Sequence, residues 1–365
     1  MELIVAVALT CILSAVLALL VIIADAVLLN YGECAVTVNK DKEIKLRGGG
    51  ALLAALMDNK IFIPSACGGR GSCGLCKVKV HKGGGEVLPT EEPYLTAEEI
   101  GENVRLSCQI KIRSDVDVEV PEELLSVREY VTTVEKLADL NYDTKFLRLK
   151  LAEREEIHFK AGQFVQFQVP PYGSSREPVY RAYSIASAPS DKTHIDLIIR
   201  LVPSGICTTY VFEVLKEGAK VTINGPYGKF LLSDSAEELA FIAGGSGIAP
   251  ILSILHDMKE KGIDRKATFY YGVSTPRDLY LYEETKRIEK ELPRFAYVPS
   301  IARVPPDHNW DGEVGLVTEV LERRVKEGQV KEAYLCGSPG MIDAAIEVLH
   351  RKGIGDASIF YDKFA

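Results

Sequence analysis

ACGGRGSCGLC (residues 66–76) and RLSCQ (residues 105–109) decide what this chain is built around. Cys67, Cys73 and Cys76 stand close together on a glycine-rich run, and Cys108 follows Cys76 after 31 further residues. Three near thiolates and one distant one suit a 2Fe–2S cluster of the plant type, with a first gap one residue longer than usual. Gly68, Gly69, Gly71 and Gly74 supply the backbone freedom that a loop wrapped around a cluster requires, with amide groups turned toward sulfur. A zinc site or a disulfide pair is the alternative. Zinc knuckles usually carry two Cys-x2-Cys pairs, and this chain has one. A cluster implies one-electron transfer.

Working outward, the 365 residues leave room for two or three domains. The chain is 47% hydrophobic and 26% charged, which argues against disorder, and its net charge of −8 argues against a nucleic-acid surface. Eight cysteines clustered this way fit a reducing compartment. Residues 3–23 form an uncharged apolar run of bilayer length. A cleaved signal peptide is the alternative, but no Lys or Arg precedes Lys40. The run is therefore expected to be a retained transmembrane anchor within residues 1–30. Lys40, Lys42, Lys45 and Arg47 follow it, so the remaining chain is expected on the cytoplasmic side of the inner membrane. Cys11 lies mid-span and is read as a small packing residue.

Three modules follow. Residues 31–125 read as a β-grasp ferredoxin domain: CAVTVNKDKEIKL is a hairpin, ALLAALMDNK is helical, and KVKVHKGGG and DVDVEVP are strands. Residues 126–234 hold the short strands YVTTVEKL, FLRLKL, QFVQFQVP, RAYSIAS, HIDLIIRLV and KVTING, spaced as in an antiparallel β-barrel. Residues 235–365 change to strand–helix alternation with glycines at strand ends, the pattern of a doubly wound parallel sheet with a ligand at the carboxyl ends of its strands. The fold class is thus α/β multidomain behind an N-terminal helix.

Within RAYSIAS, Arg181 can pair with a pyrophosphate, Tyr183 can stack on a flavin ring and Ser184 can bond a ring or ribose oxygen, although an ordinary barrel strand carries the same residues. In SGICTTY, Gly205, Cys207 and Thr208 open a helix whose free amides suit phosphate; a plain capped helix is the alternative. AGGSGIAP places Gly245, Ser246, Gly247, Ile248 and Pro250 on a strand-to-helix turn suited to a dinucleotide, without the usual Gly-x-Gly-x-x-Gly spacing. CGSPGM (Cys336, Gly337 and Met341) is a second such turn, and Gly272 ends another strand. Cys336 reads as a small residue admitting nicotinamide rather than a nucleophile, because no basic partner is near it in sequence.

The order of these motifs resembles the ferredoxin–NADP reductase superfamily with a fused plant-type ferredoxin. With the N-terminal span added, the chain resembles the F subunits of Na+-translocating NADH:quinone reductases, closely in GGGEVLPTE, PYGKF, DHNWDGEVG and the ending YDKFA. The resemblance implies FAD on Arg181, Tyr183, Ser184 and the turn at Gly205 and Thr208, with Phe230 near the adenine. It implies NADH over the turns that begin at Gly245 and Cys336, and Phe364 shielding the flavin. Membrane subunits would be partners and quinone the downstream acceptor. Between QFVQFQVP and RAYSIAS lie only residues 171–180, where such subunits carry a long insert. Ser300-Ile301 replaces the Ser-Arg of NADP-specific members, which favours NADH, although Arg277 or Arg303 can still reach a 2′-phosphate. The reductase of a multicomponent oxygenase, or a non-catalytic electron carrier, are the alternative functions.

Overall fold

The computed structural model describes residues 2–28, 31–173 and 175–364; in the first helix, side chains are described at positions 5, 7 and 9–22. That helix, α1, spans Glu2–Leu28. Among the described residues no helix is long and apolar enough to cross a membrane. Residues 1, 29 and 30 of the expected anchor lie outside the described residues, as do its side chains at 2–4, 6, 8 and 23–28. The rest forms two compact units, residues 1–65 with 69–127 and residues 128–365 with 66–68.

In the first unit, Cys34, Val36 and Val38 alternate inward along β1 (Glu33–Val38), the two-residue period of a half-buried strand. It pairs antiparallel with β2 (Lys42–Arg47) across the polar turn 39–41. Three strands follow: β3 (Lys77–Lys82), β4 (Val104–Leu106) and β5 (Val116–Glu119). They complete a sheet of order β2-β1-β5-β3-β4 in which β1 and β5 run parallel. Helix α2 (Leu52–Asp58) buries Leu52, Leu53 and Leu56 in the core with Val36, Ile63 and Ile110. This is the expected β-grasp. The short helices α3 (Ala97–Gly101) and α4 (Glu122–Leu125) lie outside the sheet. Thr96 and Glu99 close a capping box at the start of α3.

In the second unit, β6 (Arg128–Asp139), β7 (Thr144–Leu151), β8 (Phe164–Val169), β9 (Val179–Ser184), β10 (His194–Arg200) and β11 (Lys220–Tyr227) form a sheet of order β10-β7-β6-β11-β8-β9. A bridge between Ile185 and Leu197 joins its two ends and closes the barrel. Between β10 and β11 sits α5 (Ile206–Thr209).

The chain then alternates β12 (Leu239–Gly244), α6 (Ile248–Lys261), β13 (Ala267–Val273), α7 (Tyr282–Glu291), β14 (Phe295–Ile301), β15 (Glu313–Val314), α8 (Val317–Arg324), β16 (Glu332–Gly337), α9 (Pro339–Arg351) and β17 (Ile359–Lys363). All five pairings are parallel, in the order β15-β14-β13-β12-β16-β17. Winding reverses between β12 and β16, which opens a crevice at their carboxyl ends. The Ser253 hydroxyl donates to the Ser187 carbonyl at 2.7 Å, and the Tyr142 hydroxyl donates to Asp278 at 2.9 Å. These bonds tie sheet to barrel within one unit.

Candidate functional site

The cysteine loop is shaped by its glycines. Gly68, Gly69, Gly71 and Gly74 all take positive φ (67°, 86°, 76° and 69°), a conformation strained for a residue with a side chain. A Cβ on Gly74 would come 2.9 Å from the Tyr94 ring. Cys67 and Cys76 are buried, and Cys73 and Cys108 half-buried. The Cys108 thiol beside Cys76 pushes the Cys76 thiol far above its ordinary range, and burial adds to the effect. A cation bound at this pair would invert the preference and favour the Cys76 thiolate. Among the described residues no three His, Cys, Asp or Glu side chains gather around one metal-ion position. A two-iron cluster does not need that, because each iron takes only two protein ligands. The donor set, the paired thiols and the glycine loop fit such a cluster.

The barrel residues lie on or beside β9. Arg181 and Tyr183 are half-buried and Ser184 is buried. The Arg181 Nη1 donates to the Tyr180 carbonyl at 2.7 Å, which leaves its other guanidinium donors for an anion. Burial pushes the Tyr183 phenol well up, so it stays neutral. Gly205 caps α5, and the Thr208 hydroxyl stitches the turn to Val202 and Gly205 at 3.2 Å each. The Cys207 thiol reaches the Val179 carbonyl at 3.7 Å and thus ties this turn to β9. Phe230 is 7% exposed, edge-on to Tyr334 with ring centroids 5.7 Å apart, so its ring is packed at the seam of barrel and sheet.

The two glycine turns of the parallel sheet meet. Ala243 and Cys336 are partners in the β12–β16 register. A Cβ on Gly247 would stand 2.2 Å from the Cys336 carbonyl oxygen, so only glycine lets the turns approach this closely. Met341 closes over them, since a Cβ on Gly244 would meet its sulfur at 2.8 Å. Ile248 and Pro250 are buried in the first turn of α6, and Tyr271 donates its hydroxyl to the Gly245 carbonyl at 3.1 Å. Gly272, one residue before the end of β13, faces Val317, leaving 2.6 Å for a Cβ. Cys336 is fully buried, and burial holds its thiol well above the ordinary range, so it is no thiolate nucleophile. Phe364 donates its amide to the Gly337 carbonyl at 2.9 Å, which places the C-terminus over this turn.

Sequence reasoning missed Asp362. It lies on β17 opposite Cys336, and Ser184 of β9 lies beside its carboxyl, lowering it against the rise that burial causes. The only sequence signal was its place in YDKFA, which was read for the aromatic. Arg200 was missed too: its Nη1 would lie 3.8 Å from a Cβ on Gly245, and its Nε is held by Asp143 at 2.8 Å.

Residues 36–113 match the 2Fe–2S iron–sulfur cluster binding domain, residues 131–231 the oxidoreductase FAD-binding domain and residues 241–347 the oxidoreductase NAD-binding domain. The F subunit of the Na+-translocating NADH-quinone reductase of Neisseria meningitidis is 36% identical over 404 aligned positions, covering 100% of both chains. That alignment exceeds this chain's 365 residues, so the relative carries the extra length. The F subunit of the same enzyme in Actinobacillus succinogenes is 36% identical, covering 96% of this chain and 95% of its own. Among solved structures, an Amycolatopsis cytochrome P450 reductase superposes with a TM-score of 0.72 at 29% identity over 91% of this chain and 98% of its own. The ferredoxin reductase of a carbazole 1,9a-dioxygenase reaches 0.69 at 24% identity over 92% and 99%, a likeness of fold. The chain has ferredoxin, FAD-binding and NAD-binding domains in one polypeptide, and it belongs to the family formed by the F subunits of Na+-translocating NADH-quinone reductases.

Proposed function

We propose that this chain is the NADH-oxidising input subunit of a membrane respiratory complex, anchored by its first helix and delivering electrons through membrane subunits to quinone. A bound FAD would supply the chemistry that couples a two-electron hydride donor, NADH, to a one-electron 2Fe–2S cluster. The residues hold and orient these groups. Arg181 would neutralise the flavin pyrophosphate, with Gly205, Cys207 and Thr208 shaping the turn beside it. Tyr183 and Ser184 would present the ring system, and Phe364 would cover its outer face. Gly245, Ser246 and Gly247 at the start of α6 would receive the NADH pyrophosphate, with Ile248 and Pro250 fixing that turn. Gly272, Cys336, Gly337 and Met341 would border the nicotinamide path. Cys67, Cys73, Cys76 and Cys108 would hold the iron.

The observation that carries this reading is the convergence of three segments: the Gly247 and Cys336 turns touch, and Phe364 and Asp362 of the C-terminal strand close on Gly337 and Ser184. Helix α1 supports the anchor. Its described side chains at 9–22 are exposed and almost wholly apolar, and the Thr10 hydroxyl donates back to the Val7 carbonyl at 2.8 Å. The basic residues after it support a cytoplasmic position for both units. Removing the first 29 residues tests the role of the anchor. The shortened chain is expected to oxidise NADH with ferricyanide at the full rate, yet to restore little NADH:quinone activity to membranes lacking the native protein. Full quinone reduction by the shortened chain would favour a diffusible reductase of the oxygenase type.

A further inference from the structure

The turn at residues 84–91 bonds the residues on both sides of the fourth cysteine, Arg105 and Leu106 before it and Gln109 after it. On one side Glu91 and Arg105 form an ion pair with side chains 0% and 1% exposed. The Arg105 Nε donates to both Glu91 oxygens at 3.0 and 3.1 Å, and its Nη2 to Oε2 at 2.5 Å. Its Nη1 donates to the carbonyls of Gly84 and Gly85 at 2.9 and 2.7 Å. Glu91 in turn accepts the Leu106 amide at 2.8 Å, and Ser107 donates its amide to the Cys76 carbonyl at 2.8 Å. The backbone entering Cys108 is thereby fixed to the near cysteine loop.

On the other side stands Gln109. Its Nε2 donates to the Cys108 sulfur at 3.4 Å, and its Oε1 accepts the Thr90 hydroxyl at 3.0 Å. The second bond decides which end of the amide faces sulfur, because a thiolate accepts only from the NH2 group. Gly71 gives this side chain room: a Cβ there would lie 2.6 Å from the same Nε2.

We infer that Thr90 and Gln109 are positioning residues that set the redox potential of the cluster, through a side-chain N–H aimed at the Cys108 sulfur. The inference rests on the 2Fe–2S reading of the four cysteines. Reduction adds one negative charge to the cluster, and a fixed N–H dipole stabilises the reduced form more than the oxidised one, which raises the potential. Glu91 and Arg105 hold the segment to which the dipole belongs.

The test is an EPR-monitored redox titration of the full-length protein carrying Gln109→Leu, with Thr90→Val as a second variant. Iron, acid-labile sulfide and FAD contents are measured first. Gln109→Leu is expected to keep its cluster and to make it about tenfold harder to reduce at a fixed poise, a downward shift of about 59 mV for one electron. Thr90→Val, which touches no ligand, should move the potential the same way by less, since it frees the amide to turn. Should Gln109→Leu fail to load iron, Thr90→Val decides alone. A fully loaded Thr90→Val protein with the wild-type potential, or a loaded Gln109→Leu protein with no downward shift, would overturn the inference. Absence of any 2Fe–2S signal from the unaltered protein would instead refute the cluster reading itself.

Discussion

Asp362 of the last strand of the parallel sheet, β17, lies beside Ser184 of the barrel strand β9, close enough for the hydroxyl to lower the carboxyl against the rise that burial causes. Asp362 is also the β-ladder partner of Cys336, so one carboxyl joins the flavin and nicotinamide candidates. Burial raises this carboxyl above its ordinary value of 3.8, against a smaller lowering by Ser184. The native state therefore binds the proton more tightly than the unfolded chain does. Stability contributed by this group is present at low pH and is lost as pH rises from 3.8 through the raised folded value. Asp362→Asn keeps an acceptor for Ser184 and removes the buried charge. The variant should be at least as stable as the parent at pH 7, and thermal unfolding between pH 4 and 8 should show the smaller slope. A variant less stable at pH 7 by more than about 1 kcal/mol would mean the charge itself is needed.

Arg181→Ala should purify with little flavin while keeping its iron. Each lost charge-assisted bond is worth about 1.5–3 kcal/mol, enough to weaken FAD retention tenfold or more. Flavin absorbance against iron content in the purified protein measures this. Full flavin occupancy would return RAYSIAS to ordinary barrel packing.

Gly247→Ala should damage the nucleotide site without touching the cluster. The added Cβ would meet the Cys336 carbonyl at 2.2 Å, a backbone atom that cannot swing away. Overpacking of this kind costs about 1–3 kcal/mol, and here it would part the two turns. The expected result is a KM for NADH raised about tenfold or more, with an unchanged 2Fe–2S signal. An unchanged KM would place NADH elsewhere.

Both hairpin strands and the strand–helix alternation were legible in the sequence because each rests on a period of burial: two along β1, and buried strands with a glycine at or next to their ends along β12, β13 and β16. The four cysteines proposed to hold the cluster stand out in the sequence by spacing alone. Elements made by side chains rather than by period were not. Helix α3 is only five residues long and is announced by Thr96 and Glu99, a capping box followed by no apolar run. Strand β4 is three residues, too short for alternation to show. Asp362, Gln109 and Arg200 stand beside Ser184, Thr90 and Asp143, which are 178, 19 and 57 positions away in sequence, and no local pattern marks such pairs. The anchor was read from composition over residues 3–23, whereas the side chains described in α1 form a shorter consecutive run.

The central claim is that NADH electrons reach a cluster held by the four cysteines through a flavin held on the barrel. Anaerobic titration of the full-length protein with NADH tests it most directly, with flavin absorbance and the EPR signal of the reduced cluster followed together. Two electrons for the flavin and one for the cluster set the expected endpoint at about one and a half NADH per chain. In Cys108→Ala the flavin should still bleach, with no 2Fe–2S signal and an endpoint of about one NADH. A flavin that bleaches in the unaltered, fully loaded protein while its cluster stays oxidised at every NADH concentration would contradict the account.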